Sequence, residues 1–300
     1  MSWLYVLVCV SFAHMQYTGC MSAKHTAITR SIPQLFTLLV LGGMGLLLAQ
    51  DPSPAEISRT ADGGETFDEN TAPASLEIPI LVYHHIRDFL PSESEQSREY
   101  VVTPAMFERQ MQYLHDNGYT SVLVKDVTLL LEGTRPVPEK PVIITFDDGR
   151  LSQYDNALPV LTKYDMHATF FIFTNAIDAN DKYLTSSHIR ELDALGHEIA
   201  SHTILHPYLT RASHELLVKE LVESKAKLER IVAHDVVSLA YPFGLFDEVV
   251  LDETKQAGYL YGRTLSHTYE VTLDGVLELP GYIVTNDFDY FLAVMEGKAK

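Results

Sequence analysis

The sequence predicts an α/β fold: one somewhat short β/α barrel of about seven units, starting at Glu77 and filling about 220 residues. Three observations predict it. Apolar runs too continuous to keep a solvent face recur along the chain, as the strands of a parallel sheet covered on both faces do. Amphipathic stretches of helical period separate them and supply the crossovers that parallel strands require. The polar clusters that stand out follow directly on apolar runs, and in a β/α barrel the chemistry gathers at the C-terminal ends of the strands.

In chain order, "IPILVYHHI" from Ile78 reads as the first strand. "TPAMFERQMQYLHDNGY" reads as a helix that Thr103 caps, Pro104 opens and Gly118 stops. "PVIITFDDG" from Pro141 is the next strand, with the helical pattern "SQYDNALPVLTKYD" behind it. The alternation continues through "HATFFIFTNAI" and "SSHIRELDALG", then "HEIASHT" and "HELLVKELVESKAKLERIV". It ends with "VVSLAYPFG", "DEVVLDETKQAGY" and the strand "YLYGRTL" from Tyr259.

Residues 1–49 read as a signal sequence or membrane anchor. From Met21, "MSAKHTAITR" carries two positive charges, the apolar run Leu35–Ala49 follows, and "QDPSPAE" restores polarity. The run falls short of the ~20 apolar residues of a confident span, so cleavage and retention both stay open. Residues 1–20 lack a basic side chain, so translation is expected to start at Met21. Residues 50–76 are polar, acidic and rich in Pro, Gly, Ser and Thr; they bury too little apolar area to offset their ordering entropy and read as a disordered linker. Residues 77–300 are expected to form the single folded domain. An exported protein is therefore expected, periplasmic or extracellular, with the N-terminal apolar segment as its sole tie to the inner membrane.

All 40 acidic residues follow position 50, and of 22 basic ones only Lys24 and Arg30 precede it, which leaves 20 against 40. So acidic a body argues against nucleic acid and anionic membrane surfaces as partners; a solubility adaptation would look the same. Both cysteines, Cys9 and Cys20, lie in the N-terminal segment, so a metal in the body must be held by His, Asp or Glu.

Two clusters carry chemistry. Asp147 and Asp148 close the strand "PVIITFDDG", although Asp-Asp-Gly is also good turn chemistry. His202 and His206 in "SHTILHPYL" are four apart; if the chain turns helical after "HEIAS", both rings share one face and can reach one ion. Alone, such a pair also fits surface or capping histidines. Together the clusters form an Asp-His-His site with positions left for water.

"TFDDG", "SHTILHP" about fifty residues later and then "AYPFG" resemble the polysaccharide deacetylase family, carbohydrate esterase family four or NodB homology domain, over roughly Ile78 to Ile283. The resemblance implies a distorted (β/α)7-type barrel that removes N-acetyl groups from sugars with a divalent metal, often zinc, with Ni2+, Co2+ or Fe2+ as alternatives. "ILVYHHI" and "YPFG" are most similar to the branch acting on poly-β-1,6-N-acetylglucosamine exopolysaccharides. Position by position, it implies Asp148, His202 and His206 as metal ligands and Asp147 as general base. It also implies the backbone N–H of Phe243 as an oxyanion donor, and His84 in "YHHI" as general acid, with His267 as the other candidate.

Tyr208, Tyr241 and Phe243 are candidate sugar contacts, because sugar rings stack on aromatic faces. Two departures from the family pattern leave the support of Asp147 open: Ala240 and Gly281 stand where relatives carry arginine. A polysaccharide is the expected partner and a monomer the expected state. The other functions weighed are a peptidoglycan or chitooligosaccharide deacetylase, a small-amide hydrolase on the same fold, and a non-catalytic glycan-binding domain.

Overall fold

A computed structural model of the chain describes residues 73–266 and 268–299. Seven strands form a closed ring: β1 (Ile80–Tyr83), β2 (Pro141–Asp147), β3 (Thr169–Ile172), β4 (Glu198–Ser201), β5 (Ser238–Ala240), β6 (Tyr261–Leu265) and β7 (Leu279–Ile283). Neighbours run β1-β7-β6-β5-β4-β3-β2, and β1 pairs with β2 to close the circle, every pairing parallel. The expected distorted (β/α)7 barrel is what the chain forms. Its weakest joint is β4–β5, where Ser201 opposite Leu239 is the whole register.

Helices cover the ring: α1 (Pro104–Asp116), α2 (Val127–Leu131), α3 (Leu158–Lys163), α4 (Ser186–Ala194), α5 (His214–Val232), α6 (Glu248–Gln256) and α7 (Phe288–Met295). The Thr103 side chain accepts from the Met106 N–H at the start of α1, as its sequence signature requires. Strand β7 is the element the periodicity missed. Its "LPGYI" contains Pro280 and Gly281, which read as strand breakers.

Strand parity sorts the side chains. Leu81, Tyr83, Ile144, Phe146 and Phe170 face the helices in the larger apolar cluster. Ile80, Ile143, Phe171, Ala200, Ala240, Tyr261 and Leu279 form the inner cluster, which Val127, Leu130 and Leu131 of α2 also join. Period two then carries the inner face from Ile143 to Asp147, from Ala200 to His202 and from Tyr261 to Arg263. The polar side chains thus converge where the strands end.

Ser75–Glu77 pairs antiparallel with Glu270–Thr272, so paired chain begins two residues before the Glu77 boundary expected from sequence. The signal or anchor segment, residues 50–72 of the linker and His267 lie outside the described residues. Among the described residues no helix is long and apolar enough to cross a membrane.

Candidate active site

Strand β2 ends at Asp147, buried at 3% exposure, and the next two residues turn the chain sharply. Asp148 and Gly149 both adopt left-handed φ, 76° and 64°. A Cβ at Gly149 would meet Ile172 Cγ2 at 2.8 Å, so glycine is the residue that fits there. The turn aims the two carboxylates differently.

Asp148 Oδ2 accepts from Arg150 Nη2 at 3.0 Å, and Arg150 Nη1 reaches the Tyr183 hydroxyl at 2.7 Å. Asp148 Oδ1 lies 3.9 Å from His206 Nε2. Burial pushes the Asp148 carboxyl up, but His84, His202, Arg150 and His206 outweigh it and hold the group at about 2.

His202 is 1% exposed. Its Nδ1 lies 2.7 Å from the Ala240 carbonyl, which fixes the tautomer: Nδ1 carries the proton and donates, and Nε2 is left with its lone pair. That Nε2 is buried with no hydrogen-bond partner. Burial lowers the pKa of His202, and burial with His202 as neighbour lowers His206 to about 4, so both rings are neutral at pH 7. The rings meet edge to face with centroids 4.5 Å apart.

The loop that brings them together is not helical, contrary to the expectation from the four-residue spacing. Thr203 and His206 take left-handed φ of 69° and 57° and fold 202–208 into an irregular arch.

Among the described residues, Asp148, His202 and His206 are the group able to hold a metal ion, each offering one atom within 4.8 Å of the others. Two observations fit that use. The orphaned Nε2 of a neutral imidazole is a ready ligand, and its Nδ1–H bond to a carbonyl is how ligating histidines are oriented. Metal–ligand bonds of about 2.0–2.2 Å also place ligand atoms roughly 3–4 Å apart, as Asp148 Oδ1 and His206 Nε2 are.

Asp147 stands beside the cluster without joining it. Its Oδ2 accepts from Arg263 Nη2 and lies 3.9 Å from both His202 Nε2 and His84 Nε2; its Oδ1 is buried without a partner. Burial raises the Asp147 pKa, but Arg263, His202 and His84 together pull it below the usual carboxylate value.

Arg263, 1% exposed on β6 and with its guanidinium over the Phe171 ring, is the residue that sequence reasoning missed. It answers the question left by Ala240 and Gly281: the supporting arginine comes from the neighbouring strand. Gly281 makes room for it, since a Cβ there would meet Arg263 Cδ at 2.8 Å and Val82 Cγ2 at 2.7 Å. The available signal was a charge inside the apolar run "YLYGRTL", because a buried charge demands a partner.

Gln153 was missed as well. Fully buried, it sits in the π-helical turn Gln153–Ala157 and donates from Nε2 to the carbonyls of both His84 and Asp147, tying the ends of β1 and β2 together.

His84 lines the same cleft, edge to face with Tyr100 at 4.9 Å, and its Nδ1 is buried without a partner. Burial lowers its pKa against the opposing pull of Asp147 and Asp148. Phe243 lines the cleft too, held at φ 61° in the turn Pro242–Gly244. Its ring lies 4.6 Å from that of His206 and stacks on Tyr208 at 4.0 Å and 10°, with both stacked rings about two-fifths exposed.

Tyr241 also lines the cleft, but it is not part of that exposed stack. Its ring is fully buried and packs on Phe246, because the parity that leaves Ala240 facing inward turns Tyr241 toward the helices.

The cleft has a volume of about 650 Å³. It shares His85 and Arg150 with a chamber of about 520 Å³ on one side, and Tyr100, Leu265 and Ile283 with one of about 270 Å³ on another.

Comparison with known proteins bears on this geometry. The family model described as polysaccharide deacetylase matches residues 134–262, which span β2 to β5, reach only the first two residues of β6, and hold both carboxylates and both histidines. YxkH of Bacillus subtilis (strain 168), named as a candidate polysaccharide deacetylase, is 33% identical over 209 residues, covering 70% of this chain and 71% of that one. The poly-β-1,6-N-acetyl-D-glucosamine N-deacetylase of Staphylococcus aureus (strain MSSA476) is 26% identical over 296 residues, 91% of this chain and 97% of that one. The structure of the Streptococcus pyogenes deacetylase PplD in complex with acetate superposes with a TM-score of 0.67 at 27% identity, covering 73% of this chain and 98% of that one. With a relative this similar over more than two thirds of its length, and a family model that spans the strands ending in the acid pair and the histidines, the chain belongs to the polysaccharide deacetylase family, hydrolases of carbon–nitrogen bonds.

Proposed function

We propose that this protein is an exported, metal-dependent N-deacetylase of an N-acetylglucosamine polymer, an exopolysaccharide of the β-1,6-linked type. The observation that carries the reading is the pairing of a three-ligand cluster with a separate carboxylate whose inner oxygen is free. Asp148, His202 and His206 would hold the ion, for which zinc is the first candidate. A divalent ion there supplies Lewis acidity, polarising the acetyl carbonyl and making water a better nucleophile at neutral pH.

The chain's own groups do the rest. Asp147 is ionised at neutral pH and anchored by Arg263 through Oδ2, the oxygen that also lies 3.9 Å from His202 Nε2, so its carboxylate is held beside the cluster to accept the proton of the attacking water. The Phe243 N–H donates to the oxyanion. His84 delivers the proton that the amine needs to leave; burial keeps the ring neutral at rest, so that proton must first be acquired, and Asp147 is the acid that has just received one. Phe243 and Tyr208 offer a stacked aromatic face to a sugar ring.

Two features support a polymer. The cleft shares wall residues with two further chambers, His85 and Arg150 with one and Tyr100, Leu265 and Ile283 with the other, which would give a chain of sugars room beyond the reacting unit. The 26% identical staphylococcal relative is named for poly-β-1,6-N-acetylglucosamine.

The test measures acetate release from β-1,6 and β-1,4 N-acetylglucosamine oligomers of increasing length and from peptidoglycan, with and without a chelator. Release that rises with length on the β-1,6 series and stops with the chelator is expected; release confined to peptidoglycan, or indifferent to the chelator, overturns the reading. An activated acetate ester in the same panel isolates His84, because its leaving group needs no proton. His84→Ala should lose about 10²–10⁴-fold on amides and far less on the ester; equal losses would return the role to His267.

Export rests on the basic residues and apolar run before residue 50. Fractionation with N-terminal sequencing should find the protein outside the cytoplasm, either cleaved or retained at the membrane; mature protein in the cytoplasm would sink the claim.

A further inference from the structure

The arch that carries both histidines is held from behind by a buried carboxylate. Glu220, 1% exposed on α5, places Oε2 2.7 Å from the Ile204 N and 2.9 Å from the Leu205 N, and both N–H groups donate to it. Two successive main-chain N–H groups beside a left-handed residue form a concave anion-binding nest, and here Thr203 is that residue. The nest is filled by the protein itself.

Smaller ties surround it. The Thr203 N–H donates to Ser201 Oγ at 3.2 Å, and Ser201 Oγ is joined at 2.9 Å to Ser224 Oγ, one helical turn beyond Glu220. The His206 N–H donates to Thr203 Oγ1 at 3.1 Å. The opposite edge is tied by Thr174 N to the Thr203 carbonyl and Asn175 N to the Ile204 carbonyl, both at 2.9 Å. Non-glycine residues are strained in the left-handed conformation, so the arch would relax without a partner for its central N–H groups. Relaxing it would separate His202 from His206.

We propose that Glu220 is a positioning residue that pre-forms the pocket of Asp148, His202 and His206 before an ion enters, by serving as the built-in hydrogen-bond acceptor for the two central N–H groups of this strained arch. The proposal rests on the reading of that cluster as a metal centre. What matters is reach. Glu220→Gln keeps an oxygen at the same distance, whereas Glu220→Asp keeps the charge but retracts it by one methylene.

The test measures Zn2+ binding by calorimetry and the visible spectrum of Co2+-loaded protein for wild type and both variants, each checked for folding by thermal melt. Glu220→Asp should bind Zn2+ about 10–100-fold more weakly and shift the Co2+ spectrum, as loss of outer partners of ligands does. Glu220→Gln should recover most of the affinity and the wild-type spectrum. Wild-type affinity and spectrum in folded Glu220→Asp, or equal losses in both variants, would overturn the proposal.

Hydrogen exchange in the metal-free wild type needs no variant. The Ile204 and Leu205 amides should be protected before any ion is added; protection that appears only with Zn2+ would show that the ion, not Glu220, shapes the arch. A wild type that binds neither Zn2+ nor Co2+ would instead remove the metal-centre reading itself.

Discussion

His202→Ala should leave the protein without bound metal and without measurable acetate release. The ring does two jobs that alanine cannot share: its Nδ1–H satisfies the Ala240 carbonyl at 2.7 Å, and its Nε2 faces the cluster with an unused lone pair. Dividing the roughly 10–16 kcal/mol of a four-ligand zinc site equally gives each ligand about 2.5–4 kcal/mol, or roughly two to three decades of affinity. Asp148→Ala and His206→Ala should lose comparable affinity with different side effects. The first frees Arg150 from its carboxylate, while the second removes a ring that is one-quarter exposed and makes no hydrogen bond to the core through its side chain. Metal content by mass spectrometry and acetate release are measured on folded protein. Full occupancy in any of the three would strike that residue from the ligand set.

How much of this was legible follows from the range of each interaction. The acid pair and the four-residue histidine spacing were visible because each lies within one strand end or one loop. The individual strands were visible wherever runs such as "PVIITF" are unbroken, and β7 was lost because Pro280 and Gly281 interrupt the pattern.

Arg263 is 116 residues from its partner Asp147, and no local pattern connects them. A charge in an apolar strand said that some partner exists without saying which. Glu220 hid differently. It reads as an ordinary helical charge in "VKELVES", yet it lies between Leu217 and Leu221 on the buried face of α5, and the period of 3.6 would have exposed it as a carboxylate needing donors. The left-handed backbone at Thr203 and Phe243 carries no signal in residue type, and at Asp148 and His206 only the weak one of residue types enriched at positive φ. Strain of this kind is imposed by tertiary contacts and concentrates at working sites.

Asp147→Asn should retain metal at the wild-type level and lose about 10²–10⁴-fold in turnover, the usual effect of removing a general base. Asparagine is the substitution that isolates the chemistry. Arg263 is almost wholly buried and its guanidinium bonds Asp147 Oδ2, so deleting the carboxylate outright strands a charge, at about 3–5 kcal/mol of stability. An amide oxygen can still accept from Arg263 and hold the side chain in place. What it cannot do is take a proton from water, because an amide is far too weak a base to hold it. A thermal melt should therefore show a smaller loss for Asp147→Asn than for Asp147→Ala, while both lose turnover. Turnover of the asparagine variant within about tenfold of wild type, with metal intact, would remove Asp147 as the base and leave its ion pair with Arg263 as its whole role.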